Sequence, residues 1–400
     1  KADEPYYADY DWEYPFVVPD LSEDYLAEPE LIVKDHLSYE YAYGFGGLNR
    51  YLLRHQITRV NSDEAIARNN RLYLPVNSAE DLFIQKARVI KPDGSEIVLK
   101  EEDILQAEDE ESGRVFNYFA LEGLVKDCYI EYIYLIKTNP VLAGSRITFQ
   151  GETPKVEVSI ELMSPENLII AAKSYNGFPD LMVDDSYEER FVLEATAKDI
   201  PAVYEEPYAL MGPNLQQIVF KFSQNTELGI SNMFSYRDAA DHWVENTFVE
   251  KSKYAKKELK NLMKAIKVPG GSDYEKIRAV EDYIKMEYQV LDMNVAELGE
   301  LDYILENKMG NEGGMLELYA SLFDEMGLDY EVVFTCNRYD YSFDKEFEGY
   351  NYIDEDLLYF PKADVFLIPA DVTHRVGLVP AYYSNNGALF IRKDGSPEKG

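Results

Sequence analysis

Residues 308–327, KMGNEGGMLELYASLFDEMG, carry the spacing that most suggests chemistry. Glycines and Asn311 open the stretch. An amphipathic run follows, with Met315, Leu318, Tyr319, Leu322, Phe323 and Met326 at helical intervals, and Gly327 closes it. The first turn of such a helix offers free N–H groups and the positive end of the macrodipole, a setting that turns a thiol into a thiolate nucleophile. The residue at that point is Glu312. A carboxylate is a far weaker acyl-transfer nucleophile, yet an anion in a first turn is stabilised by roughly 0.3–1 kcal/mol. Glu312 therefore reads either as a helix-start charge or as the anchor of a remodelled pocket.

Other combinations are weaker. Cys336, His374 and Asp371 supply the atom types of a thiol–imidazole–carboxylate site, but Cys336 falls at the end of a predicted strand, where a structural thiol is the simpler reading. Glu312 and Asp371 have the residue types of a glycosidase pair, although spacing alone does not bring them together. DYSFDKEFEG (340–349) and DDSYEER (184–190) are rich in carboxylates but lack EF-hand spacing. Two cysteines and four scattered histidines make no zinc pattern, so no metal or cofactor is expected. His36, His55 and His242 are isolated and read as structural.

The elements that would position these residues fall into two halves of different period. The first half is strand-rich: ELIVKDHLSYEYAY (30–43), LNRYLLRHQITRV (48–60), a hairpin across Pro92-Asp93-Gly94, and CYIEYIYLI (128–136), apolar on both faces. Short strands continue to about residue 197, which predicts an antiparallel β-sandwich over 29–205, preceded by an irregular arm rich in Tyr, Asp, Glu and Pro over 1–28. After the prolines at 201, 207 and 213 helical periodicity takes over. Leu259, Leu262, Met263 and Ile266 share a face, and a capping box from Ser272 to Glu275 opens the next helix. Strands then follow at 330–336, 356–361 and 364–370. Helices before strands predict an α+β domain over 206–391, with 392–400 as a linker or terminus.

Composition limits the function classes. With 400 residues the chain can build more than one core. Its 39 basic and 74 acidic residues leave a formal charge of −35, a field that repels phosphate backbones and anionic lipid, so nucleic-acid partners are disfavoured. No run approaches the ~20 apolar residues of a membrane span. The chain opens at Lys1 without methionine, the pattern expected of a trimmed or mature product. Tyrosine is abundant, 33 residues against 19 Phe and 2 Trp, and suits packing as well as protein or carbohydrate contacts.

The order YEKIRAVEDYIK, MGNEGGMLELYASLFDEMGLDYEVVFT, FEGYNYI and DVFLIPADVTHRVGLVP resembles the transglutaminase-like superfamily, whose α+β domain is papain-like. The preceding ARVIKPDGSEIV and FALEGLVKDCYIEYIY resemble the β-rich domain of unknown function that accompanies such modules in bacterial envelope proteins. Together the resemblance spans roughly residues 29–391. It implies a cysteine at the helix mouth, a histidine on the next strands and an aspartate orienting it. Here Gly310-Asn311 is retained, and Glu312, Asn351 and Ile368 fall at the three catalytic positions, with Tyr350 and Asp371 as near neighbours. The candidate pocket is thus Asn311, Glu312, Tyr350, Asn351, Asp371 and His374. The implied function is a non-catalytic binding or scaffolding module, in the bacterial periplasm or at the outer membrane or cell surface, with an unidentified protein or glycan partner. The alternatives are an altered peptidase or glycan-directed hydrolase built around Glu312, and a glycan-binding protein.

Overall fold

A computed structural model describes residues 4–74, 82–108, 115–207, 209–247 and 250–400. The chain divides into two compact units, one of residues 1–209 and 214–233, the other of 210–213 and 234–400.

The first unit is built on an eight-stranded sheet. In chain order its strands are β1 (Glu30–Gly44), β2 (Gly47–Val60), β3 (Leu82–Ile90), β4 (Glu96–Leu99), β5 (Cys128–Thr138), β6 (Lys155–Pro165), β7 (Met182–Val183) and β8 (Arg190–Ile200). Their spatial order is β7-β8-β6-β1-β2-β5-β3-β4. The β3–β4 hairpin turns through Gly94 at φ +82°, a conformation that glycine adopts without strain. β5 is buried along most of its length, as expected from its apolar character on both faces. Two smaller sheets complete the unit. One joins Ser145–Thr148, Leu168–Tyr175 and Ile230–Ser231 to Gln217–Asn225, and the other joins Arg71–Tyr73, Ile104–Glu108 and Val115–Ala120.

Three features differ from the sequence reading. β1 and β6 run parallel, so the large sheet is mixed rather than antiparallel; β6 arrives by a long crossover, and residue alternation says nothing about strand direction. Gln217–Asn225, expected in the second domain, pairs within the first unit because its run IVFKF is a buried strand. Residues 5–28, the irregular arm, pack onto the large sheet through Phe16, Leu21 and Tyr25 at one cluster and Tyr7, Tyr10 and Trp12 at another.

The second unit places helices α1 (Tyr236–Thr247), α2 (Lys253–Ile266), α3 (Asp273–Glu287), α4 (Leu301–Asn307) and α5 (Glu312–Glu325) ahead of a five-stranded antiparallel sheet. The strands are β9 (Glu331–Thr335), β10 (Glu355–Phe360), β11 (Val365–Leu367), β12 (Leu389–Ile391) and β13 (Pro397–Lys399), in the order β11-β10-β9-β12-β13. The reciprocal Ser272–Glu275 capping box opens α3 as read from the sequence. α5 is the central helix: Leu318, Leu322 and Phe323 are fully buried, and Phe323 meets Phe360 of β10 edge-on at 4.9 Å. Residues 392–400 are part of this sheet through β13. Among the described residues no helix is long and apolar enough to cross a membrane.

Candidate functional site

Asn311 caps α5, its side chain accepting from the Gly314 N–H at 3.0 Å. The glycines around it have different causes. A Cβ on Gly314 would stand 2.4 Å from the Leu298 carbonyl oxygen, so this position must be bare for the 296–299 turn to pack against the helix. A Cβ on Gly313 would meet nothing within 4 Å. It opens onto a cleft of about 790 Å³ lined by, among others, Tyr288, Asp292, Asn311, Glu312, Ile368, Asp371 and Tyr383.

Glu312 stands exposed at the edge of this cleft, beside the carboxyl of Asp356 on β10, whose buried Oδ1 has no hydrogen-bond partner among the described residues. Asp356 lies opposite Phe334 of β9 and is 7 % exposed. Burial raises the pKa of Asp356 well above the carboxylate range, and Glu312 and Glu355 push it further. Burial also raises Glu312, with Glu355 and Asp292 adding to it. Two carboxyl groups this close disfavour each other's ionised form, and buried Asp356 is the more strongly raised of the two. Glu355, next along β10, accepts from the Tyr383 hydroxyl.

Asp371 is held the opposite way. Burial tends to raise it, but hydrogen bonds from the Thr373 side chain and backbone, and from His374, outweigh this and keep it well below the usual carboxylate range. It accepts from Thr373 N at 2.7 Å and Oγ1 at 2.6 Å and from the Tyr382 hydroxyl at 3.1 Å, and it pairs with His374 Nδ1 at 2.6 Å. The loop carrying it is anchored from α3. Fully buried Glu281 accepts from the Val376 N–H at 2.9 Å, and Lys285 Nζ reaches both Glu281 (2.8 Å) and the His374 carbonyl (2.5 Å). Burial lowers the Lys285 pKa, against the opposing pull of Glu281.

The candidate residues thus separate. Asn311, Glu312, Asp371 and Ile368 share the cleft, and His374 is tied to it through Asp371. Tyr350 and Asn351 do not line it. They sit in the 350–352 turn, where Tyr350 donates to the Ser235 carbonyl at 3.4 Å and meets Phe234 edge-on. Both amide atoms of Asn351 lack a hydrogen-bond partner among the described residues. The side chain facing Glu312 is Asp356, five residues past Asn351, because the strand begins only at Glu355. The acids at the head of DEDLLYF were the available signal, but deciding which of them points at the helix requires the β9–β10 register. Cys336 is buried, donates to the Tyr341 carbonyl at 3.8 Å, and has its thiol pushed up to about 12 by burial. It and Cys128 are both free.

Among known proteins, the model of DUF3857, a domain of unknown function with a solved structure, matches residues 52–204. A proposed protease from Parabacteroides distasonis shares the fold: TM-score 0.62 at 14 % identity, over 92 % of this chain and 71 % of that one. A structure described as a TGase aligns over 56 % of this chain and 55 % of its own at 12 % identity, with a TM-score of 0.25. No curated protein matches the sequence. Residues 52–204 thus resemble a domain of unknown function, and the fold is one also seen in a proposed protease. At its helix mouth two carboxyls, Glu312 and Asp356, stand together, both raised above their ordinary pKa values.

Proposed function

We propose that this chain is a transglutaminase-like protein of the bacterial envelope or cell surface that binds a protein or glycan partner and performs no thiol-dependent acyl transfer. The observation that carries this reading is that carboxyl side chains, Glu312 and Asp356, stand at the mouth of α5. A thiolate and an imidazole would be needed there, and two carboxyls cannot replace them. The cleft beside it offers hydrogen-bonding groups on Asn311, Asp292 and Tyr383, suited to amide or hydroxyl ligands. The test joins assay and binding. Purified protein should show only background amine transfer and peptidase turnover, while Glu312→Gln should weaken binding to a panel of envelope polysaccharides and peptides. Turnover abolished by alkylation and by Cys336→Ser would overturn the reading.

A second reading rests on a separate observation. Glu312 and Asp371 line one cleft with their pKa values driven apart, one raised and the other lowered, the disposition of an acid and a base. A carboxyl-based hydrolase acting on peptide or glycan would lose turnover in both Glu312→Gln and Asp371→Asn. The absence of any turnover across the same panel would remove it.

A further inference from the structure

The face of the eight-stranded sheet under the N-terminal arm has a composition unusual for a core. Ladder partners share a face, which places Lys86, Ile133, His55, His36 and Ser159 in one row and Arg88 and Glu131 in the next. Arg88, Glu131, His55 and Glu40 are each 3 % exposed or less. Arg88 and His55 both bind the Glu131 carboxylate. A charged, fully paired face of this kind makes a poor apolar core and a good recognition surface.

The segment seated there is PYYADYDW, residues 5–12, followed by Glu13 to Phe16. Among the described residues it forms no ladder with the sheet, and side chains hold it. The Tyr6 N–H donates to Glu40 at 2.7 Å, and its ring lies under Arg190 at 5.0 Å. The Tyr7 hydroxyl donates to Glu161 at 2.7 Å. His55 Nε2 is taken by Glu131 at 2.8 Å, which leaves Nδ1 to accept from the Tyr10 hydroxyl at 3.0 Å. The Trp12 ring lies under two cations, Arg88 at 4.6 Å and Lys86 at 5.0 Å, and Lys86 also pairs with Asp11. Beyond Trp12, Arg88 still holds the Glu13 carbonyl at 2.9 Å and Phe16 packs against Tyr129, while the residues around them face solvent. Tyr14, Val17 and Val18 are largely exposed, and a cavity of about 470 Å³ lies beneath, lined by Phe16, Val18, Leu21, Arg59, Glu96 and Tyr129.

We infer that this sheet face is a binding site for an extended aromatic–acidic peptide segment of the pattern Tyr-Tyr-x-x-Tyr-x-Trp, with residues 6–12 as its resident occupant. Each element of the pattern has a fitted receptor: a cation over Tyr6, carboxylate for Tyr7, imidazole for Tyr10, paired cations for Trp12. Release of the occupant requires Phe16 to leave its cluster, after which the stretch through exposed Val17 and Val18 serves as the tether. A partner presenting the same chemistry competes for the site by displacing the arm. The site lies wholly within the first unit and is independent of the cleft at α5.

The test uses the full chain with a protease site inserted in the exposed 17–20 stretch, cut after folding. A labelled synthetic peptide of residues 4–16 should bind the cut protein saturably and be competed by the unlabelled peptide. A scrambled peptide should not compete, and Trp12→Ala or Tyr10→Ala in the peptide should weaken binding at least tenfold. The uncut parent should bind little, and the uncut Tyr10→Ala/Trp12→Ala chain, with an unchanged melting profile, should bind the parental peptide. A cut arm that leaves only when the protein unfolds would overturn the proposal. So would equal competition by the scrambled peptide, or a folded double variant that binds no peptide.

Discussion

Glu312 and Asp356 give the second unit a pH dependence of definite sign. Both carboxyls are raised in the folded chain above their unfolded values near 4, so the folded unit binds the extra proton. Their contribution is fully present below about pH 4 and is lost as the pH rises toward their folded values. Asp356→Asn keeps a donor beside Glu312 without needing the proton. Thermal melts from pH 4.5 to 8 should show the variant gaining on the parent as pH rises, and an unchanged difference across that range would refute the raised pair. Installing thiol chemistry fails for a geometric reason: Glu312→Cys with Asn351→His should show no amine transfer, because Asn351 does not line the cleft at the helix mouth. A radiolabelled-amine assay decides it. The helix mouth was legible in the sequence, since Gly, Asn and the apolar period are local signals. Asp356 was not, since a one-residue slip of register would have turned a different acid of the strand toward Glu312.

At the scale of elements, the fit of α5 against the 296–299 turn predicts unequal glycines. Gly314→Ala should cost about 1–3 kcal/mol, because its Cβ meets backbone that cannot move aside. Gly313→Ala should be neutral or stabilising by up to about 1 kcal/mol, since it faces open space and alanine is the better helix former. Urea titrations of the two variants make the comparison. The Glu281–Lys285 pair that anchors the Asp371 loop predicts a larger loss. Lys285→Met leaves a buried carboxylate facing only the Val376 N–H, at a cost of about 3–5 kcal/mol measured by the same titration. Elements closed by short-range signals, such as the Ser272–Glu275 box and the Gly94 hairpin, were readable in the sequence. The parallel β1–β6 pair was not, because alternation along a strand fixes which face is buried and leaves direction and neighbour open.

At the scale of the whole molecule, the two units should respond to acid in opposite ways. His36 in the first unit is driven down to about 4, mainly by burial, helped by Lys34 and His55. A histidine depressed on folding contributes stability that is present above its unfolded value near 6.5 and lost as pH falls through about 4. Between pH 7 and 5 the first unit should therefore lose about 2 kcal/mol from His36 while the Glu312–Asp356 pair favours the second. Calorimetry at the two pH values should show the first unit's transition moving down relative to the second's, and His36→Gln should reduce that relative shift, with the buried His55 and the Glu312–Asp356 pair supplying what remains. A parallel shift of both transitions in the parent would contradict the assignment.

The parallel pairing of β1 also bears on how the chain is made. Ile32 finds its β6 neighbour, Lys155, only after roughly 120 further residues have been synthesised. At about 5–20 residues per second, one long edge of β1 stays open on the ribosome for many seconds. Such an edge is a template for association with another chain. The arm just upstream of it emerges earlier than the sheet it will cover. A nascent chain that pauses before residue 165 should thus be held by a chaperone or be prone to aggregate, and one that passes it should not.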